Sequence, residues 1–374
     1  MDFICFSHLR WNFVYQRPQH LLSRFAKKYP TYYIEEAVHS GDEDGYTLEN
    51  TKEGVKVVVP HLKEGNDTTP NRIGRLRTII NHVFDEFGID RYVLWYYTPM
   101  AISFTDHLTP DLMVYDCMDE LSAFKFAPPE LKANETILLS LADLVFTGGN
   151  SLYKAKKLLH PNVWPMPSSI DKDHFQEARH MVKEPVDQEA IAHPRLGFFG
   201  VIDERFDIAL IEEVSKAKLE WNFIFIGPVV KIDPALLPQS KNVHYLGAKA
   251  YEELPRYLSG WDIALIPFAI NESTQYISPT KTPEYLAAGI PVVSTPIQDV
   301  IEPYGEMGLV DIAFDVDDFI GKATLRLAKP EPTSWLQQVD DYLLTISWDI
   351  TWERMDDLMT KELKTKSISV TQNV

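Results

Sequence analysis

Short apolar runs rich in β-branched and aromatic residues alternate with longer amphipathic stretches along most of the chain. That alternation is the pattern of a parallel sheet wrapped by helices. In the first half, the runs at 3–7, 32–35, 55–59, 92–97, 112–116, 144–148 and 162–166 predict strands, and 17–28, 70–87, 129–141 and 151–159 predict helices. The period then restarts. Strands are expected at 195–200, 223–227, 243–247, 262–268 and 291–295, with helices near 207–218, 251–259, 283–288, 317–328 and 334–345. Between the two sets, 168–194 is polar and aperiodic and reads as a linker or a peripheral helix. An amphipathic run at 347–363 closes the pattern, and the tail after it reads as disordered. The expected architecture is α/β, two doubly wound domains facing a central cleft, with a ligand site beyond the carboxyl ends of the strands.

Composition narrows the partners. The 374 residues carry a formal net charge of −18, which excludes binding of nucleic acid through a broad basic surface. An anionic ligand must therefore meet local cations in a cleft. The two cysteines, Cys5 and Cys117, lie in apolar runs and read as buried thiols. The N-terminus has no signal-peptide layout and no run approaches a membrane span, so a cytoplasmic location is expected.

Candidate chemistry gathers at strand ends. Gly200 ends one predicted strand with Arg205 in the following loop, and Gly227 ends another with Lys231 beyond it. Glycine at such a point lets backbone approach a ligand, and a following helix N-terminus favours anions. In the stretch SPTKTPEYLAAGIPVV (278–293), Thr280 or Thr282 can cap a short helix and Gly289 can end it. Lys281 and Glu284 then share a face at i,i+3 spacing. An isolated pair of that kind contributes only about 0.2–0.5 kcal/mol. A ligand with a diphosphate for the lysine and vicinal ribose hydroxyls for the carboxylate makes better use of it. In the first half, the βα loop after residue 7 carries His8, Arg10 and Trp11, with Arg17 at the start of the next helix. The strand end at 115–124 carries Asp116, Asp119 and Glu120, any of which could accept a proton or cap the next segment. No GxGxxG occurs, which weakens a dinucleotide-dehydrogenase reading. Neither Cys/His spacing nor the acidic pairs Asp42/Asp44 and Asp315/Asp317 suggests a metal site.

Together with PSSIDKDHF (167–175), GFFGVIDERFD (197–207), IGPVVKIDP (226–234), WNFVYQRPQHLLSR (11–24) and YDCMDELSAF (115–124), these motifs resemble bacterial group-1 glycosyltransferases of the GT-B fold over residues 2–350. The resemblance implies an acceptor-binding domain over 1–175, a donor nucleotide-binding domain over 190–346, and a last helix, 347–364, returning to the first domain. It implies that Glu284 binds the ribose, that Lys281 and Arg205 lie near the diphosphate, and that Tyr276 and Ser278 contact the donor. Gly200 and Lys231 complete the donor set, and His8, Arg10, Trp11 and Arg17 lie on the acceptor side. Many members carry a glutamate eight residues before the ribose glutamate; here Tyr276 stands in its place. For an inverting enzyme the base is Asp119 or Asp116, with Asp119 preferred. The implied activity is transfer from a nucleotide-diphosphate sugar, UDP first, to a saccharide or lipid-linked acceptor in cell-surface polysaccharide synthesis. No cofactor or required metal is expected, and transient contact with the inner membrane face fits a lipid-linked acceptor. Two other functions remain open at this point: a nucleotide-sugar epimerase of the same fold, and a non-catalytic sugar-nucleotide-binding subunit of an assembly complex.

Overall fold

The structure is a computed structural model that describes residues 1–65, 68–329 and 332–372. The chain divides into two compact units. The first comprises Met1–Ser122, Ala127–Pro167 and the described residues from Trp348 onward; the second comprises Ala123–Phe126 and Ser168–Ser347.

The first unit is built on a sheet of β1 (Asp2–Ser7), β2 (Thr31–Glu35), β3 (Val38–His39), β4 (Gly45–Asn50), β5 (Val55–Leu62), β6 (Tyr92–Tyr96), β7 (Leu112–Cys117), β8 (Leu144–Thr147) and β9 (Val163–Pro165). Their order is β3-β5-β2-β1-β6-β7-β8-β9, all parallel, with β4 antiparallel on β5. Strands β1, β2, β6 and β7 are buried almost throughout. That is why they read as continuous apolar runs and not as alternating ones. β4 is mostly exposed and polar, so it carried no strand signal.

Helix Trp348–Gln372 packs on this unit. Trp348, Met355 and Met359 are fully buried among Phe25, Trp95 and Phe146, and the Trp348 ring stacks on His20 at 4.7 Å. Arg24 pairs with Asp349 and Lys28 with Asp356 at the rim. The tail expected to be disordered continues this helix to Gln372. Glu362 accepts from the Asn162 amide at 3.3 Å and Lys366 pairs with Asp143 at 2.7 Å, long-range contacts that local composition does not announce.

In the second unit, β10 (Arg195–Phe199), β11 (Asn222–Ile226), β12 (Val243–Gly247), β13 (Ile263–Ile266), β14 (Val292–Ser294) and β15 (Asp311–Ile312) form a parallel sheet in the order β12-β11-β10-β13-β14-β15. The order reverses at β10 between β11 and β13, which makes its carboxyl end a topological switch point. Residues 168–194 form short, largely exposed helices on the second unit, anchored at a few buried points. Phe175 is fully buried against Phe199 and Tyr251. Gln188 bridges the Tyr257 carbonyl and the Trp261 indole, both at 2.9 Å. The polar residues that hid this packing from the sequence are the ones that make its buried hydrogen bonds.

Candidate functional site

The carboxyl ends of β10 and β11 meet through two glycines. Gly200 has φ +136° and Gly227 φ +140°, and a Cβ on Gly227 would lie 1.9 Å from the Gly200 carbonyl oxygen. Only glycine fits both the backbone conformation and the contact. The loop after Gly200 is held on two sides. Ile202 N–H donates to the Pro228 carbonyl, and Ala269 N–H donates to the Arg205 carbonyl at 2.8 Å. Within the loop the Asp203 carboxylate also accepts from the Arg205 backbone N–H at 3.0 Å.

Helix Lys281–Ala287 projects the Lys281 side chain over this strand end. Its Cε would be 2.2 Å from a Cβ on Gly200, and its ammonium lies 5.5 Å from the Phe198 ring and 5.7 Å from that of Phe268. Aromatic faces hold a cation in place without cancelling its charge. The helix itself is anchored at both ends of its buried face. The Tyr285 hydroxyl accepts from the Phe199 N–H at 3.0 Å. Arg179 donates to the Ala287 and Leu286 carbonyls while paired with Asp340, a cation at the helix C-terminus where the dipole favours one. Thr280 occupies the N-cap position, yet neither it nor Thr282 makes a side-chain cap bond; the Thr282 hydroxyl is buried without a partner. Gly289 does end the helix, at φ +77°.

Glu284 is the unusual group. It is 7% exposed, and its Oε2 has no hydrogen-bond partner among the described residues. Burial pushes its pKa up to about 8, against the pull of Lys281 and with the help of Asp171. A buried carboxyl oxygen left unpaired costs about 1–3 kcal/mol or more, a cost that an incoming pair of hydroxyl donors removes. Asp171, which the sequence reading passed over, sits on the segment beside it. The Ser168 hydroxyl on that segment donates to the Ser278 carbonyl at 2.8 Å, and the Ser169 hydroxyl is buried without a partner. Tyr276 is half-buried at the end of a turn pinned by the Asn271 side chain, which accepts from Ser273 and Thr274.

The other donor-side cations are arranged differently from expectation. Arg205 Nε and Nη2 are engaged by both oxygens of Asp203, at 2.7–3.1 Å, and the guanidinium stacks on Phe124. Lys231 is 41% exposed at the side chain, 3.8 Å from Glu204 and 5.4 Å from the same Phe124 ring. Asp207 caps the helix that follows. Phe124 was missed because an aromatic residue signals nothing without the fold that brings it to Arg205; Asp203 lies only two residues from Arg205, and its pairing was passed over.

In the first unit the predicted residues are largely committed to one another. Arg17 and Asp116 form a bidentate pair at 2.8 and 3.0 Å, both buried, and Arg17 also reaches the Met166 carbonyl. Both Asp116 oxygens accept from the guanidinium, which holds the carboxylate in place. Arg10 pairs with Glu35, the Trp11 N–H donates to the same carboxylate at 2.7 Å, and the Trp11 ring is buried against Tyr33. His8 and Asp119 are half-buried at the strand ends. The loop carrying Asp119 is tied down next door, where the buried Lys156 ammonium pairs with Glu120 and Glu135, both at 2.7 Å. Both acidic pairs singled out in the sequence are exposed. Arg75 beside Asp44 holds its carboxyl down at about 2, and Asp315 caps helix Val316–Ala328. Among the described residues no group of three or more His, Cys, Asp or Glu is placed to hold a metal ion, and no helix is long and apolar enough to cross a membrane.

A family profile described as "Glycosyl transferases group 1" matches residues 193–329, the stretch that contains Gly200, Gly227, Lys281 and Glu284. That stretch of the second unit is similar to group-1 glycosyltransferases. A protein of Bacillus subtilis (strain 168), named as the teichuronic acid biosynthesis glycosyltransferase TuaH, is 27% identical over 224 residues. That match spans 55% of this chain and 56%, about half, of that relative. Among solved structures, the sucrose-phosphate synthase of Thermosynechococcus elongatus superposes with a TM-score of 0.72 at 12% identity, over 97% of this chain and 99% of the other. The E. coli trehalose-6-phosphate protein bound with UDP-2-fluoro glucose gives 0.70 at 10% identity, over 96% and 99%. WaaG, a glycosyltransferase of lipopolysaccharide biosynthesis, gives 0.65 at 13%, over 96% and 99%. The fold of the chain is that of these GT-B structures, with two Rossmann-like units.

Proposed function

We propose that the protein transfers a sugar from a nucleoside-diphosphate sugar, UDP first, to a saccharide or lipid-linked acceptor in cell-surface polysaccharide synthesis. The observation that carries this reading is the buried Glu284 carboxyl with an unpartnered oxygen, on the same helix face as a lysine held over a strand-end glycine. Ionised Glu284 accepts both vicinal ribose hydroxyls, while Lys281 meets the diphosphate. As the glycosidic bond to the diphosphate breaks, negative charge builds on the leaving oxygen. A fixed ammonium already aimed there stabilises that charge more in the transition state than in the ground state. Lys281 is the principal cation in this scheme, because Asp203 already neutralises Arg205. No resident metal is required, so activity should survive EDTA. Asp119, not Asp116, is the candidate proton acceptor for an inverting transfer. The TuaH likeness supports the polysaccharide context, and the UDP-sugar complex on the same fold supports the choice of nucleotide.

The test is calorimetric titration of UDP and UDP-sugars into wild type, Lys281→Ala and Glu284→Ala, followed by product analysis with and without acceptor. UDP binding that neither variant weakens sinks the donor site. Epimerised sugar without acceptor would identify an epimerase, and binding without turnover under any acceptor would identify a non-catalytic subunit.

A further inference from the structure

Two glycines of the first unit are not explained by packing. Gly74 lies inside helix Thr69–Phe87, where glycine is less favourable than alanine because its backbone loses more freedom on folding. Gly45 opens β4. Neither has a left-handed φ, and a Cβ on either would meet nothing within 4 Å. Both line one groove of ≈ 340 Å³ between β4 and the helix. The two absent side chains keep that space open, and its volume is at the lower end of what small-molecule sites span.

The walls of the groove are polar and held in place. Asp44 accepts from Arg75 Nε at 2.7 Å, from Arg75 Nη2 and from the Lys63 N–H at 2.9 Å. Arg75 also donates to the Lys63 carbonyl at 3.1 Å. The Thr78 hydroxyl gives its proton to the Gly74 carbonyl at 3.1 Å, so its oxygen remains an acceptor. The His82 ring stands edge-on to Tyr46 at 5.9 Å, Asn71 adds an amide, and the buried Ile79 adds apolar surface. Arg75 and Asp44 cancel one another's charge, so the groove selects neither an anion nor a cation. What it offers is a fixed array of donors and acceptors beside an apolar patch.

We propose that this groove binds a neutral saccharide, one or two sugar residues long. Each sugar hydroxyl both donates and accepts, and the ring C–H faces are apolar, which is the complement of this lining. β2 lies between β1 and β5, the strand that carries β4. The groove is therefore separate from His8, Arg10 and Trp11 at the end of β1, and it holds a sugar without reacting with it. The inference stands on the groove alone and does not depend on the donor site.

The experiment is saturation-transfer NMR of the full chain with cellobiose, chitobiose and lactose as neutral probes, against glucuronic acid and glucosamine as charged ones. Wild type is expected to bind at least one neutral disaccharide more strongly than either charged sugar. Gly74→Leu fills the groove and should weaken that binding at least about tenfold, with a melting temperature at or above that of wild type. Thr78→Ala/His82→Ala should weaken it about 3- to 10-fold. UDP affinity by calorimetry should be the same in all three proteins, which shows that the loss is local to the groove. Three results would overturn the proposal: no binding of any neutral disaccharide by wild type, preference for a charged sugar, or equal disaccharide binding by Gly74→Leu.

Discussion

The strand-end clusters of the two units use similar residue types to opposite effect. In the first unit, Arg17 and Asp116, Arg10 and Glu35, and Lys156 with Glu120 and Glu135 satisfy one another. In the second, the Glu284 oxygen is buried with no hydrogen-bond partner among the described residues, and the Lys281 ammonium lies over the Phe198 and Phe268 rings. A polar cluster that is already satisfied holds the backbone in place, whereas one left incomplete stores binding energy for a ligand. The charged residues of a strand end therefore say little until their partners are known.

The sharpest way to break this contrast is to unbalance the satisfied side. Arg17→Met leaves Asp116 buried and uncompensated and should destabilise the first unit by about 3–5 kcal/mol in chemical denaturation. UDP affinity of the folded fraction should stay at the wild-type value. Next comes the backbone of the donor side. Gly227→Ala places a methyl against the Gly200 carbonyl at a φ of +140° and should cost about 2–4 kcal/mol of stability, with loss of UDP binding in the fraction that folds. Glu284→Ala and Lys281→Ala should each raise the UDP dissociation constant by about 10- to 100-fold. Glu284→Ala should not lower the melting temperature much, because its buried Oε2 has no hydrogen-bond partner among the described residues to abandon.

The smallest effect is on pH. The folded-state pKa of Glu284 lies at about 8, above that of an exposed carboxylate, so the folded state holds a proton that the unfolded chain has lost. This group's contribution to stability is thus complete at acid pH and declines as pH rises from the ordinary carboxylate range through about 8. Nucleotide affinity runs the other way, since only the ionised carboxylate accepts two hydroxyls. UDP binding by wild type should strengthen up to about tenfold per pH unit below 8 and level off above it, and Glu284→Gln should flatten that profile in titration calorimetry. A flat wild-type profile would show that Glu284 does not face the ribose.

The interior strands were legible because strands buried on both faces of a parallel sheet must be apolar throughout, as at 112–116 and 223–227. β4 and β15 were not, because an edge strand need only pair one neighbour and can be polar or two residues long. Lys281 and Glu284 could be singled out because i,i+3 spacing between a capping segment and a helix-ending glycine is local information. Asp171 and Phe124 could not, since each acquires its role from a residue dozens of positions away.

What the sequence determined alone was the doubly repeated α/β pattern, the short helix at 281–287 and the charge pair on it, all consequences of backbone period and local sterics. Only the tertiary structure decided which charges are spent. It closed Asp116 on Arg17 and stacked Arg205 on Phe124, drew Phe175, Gln188 and the C-terminal tail into packed units, and left the Glu284 Oε2 without a hydrogen-bond partner among the described residues. The reason is physical: the free energy of a charge depends on burial and partners, and both are set by contacts across the fold, not along the chain.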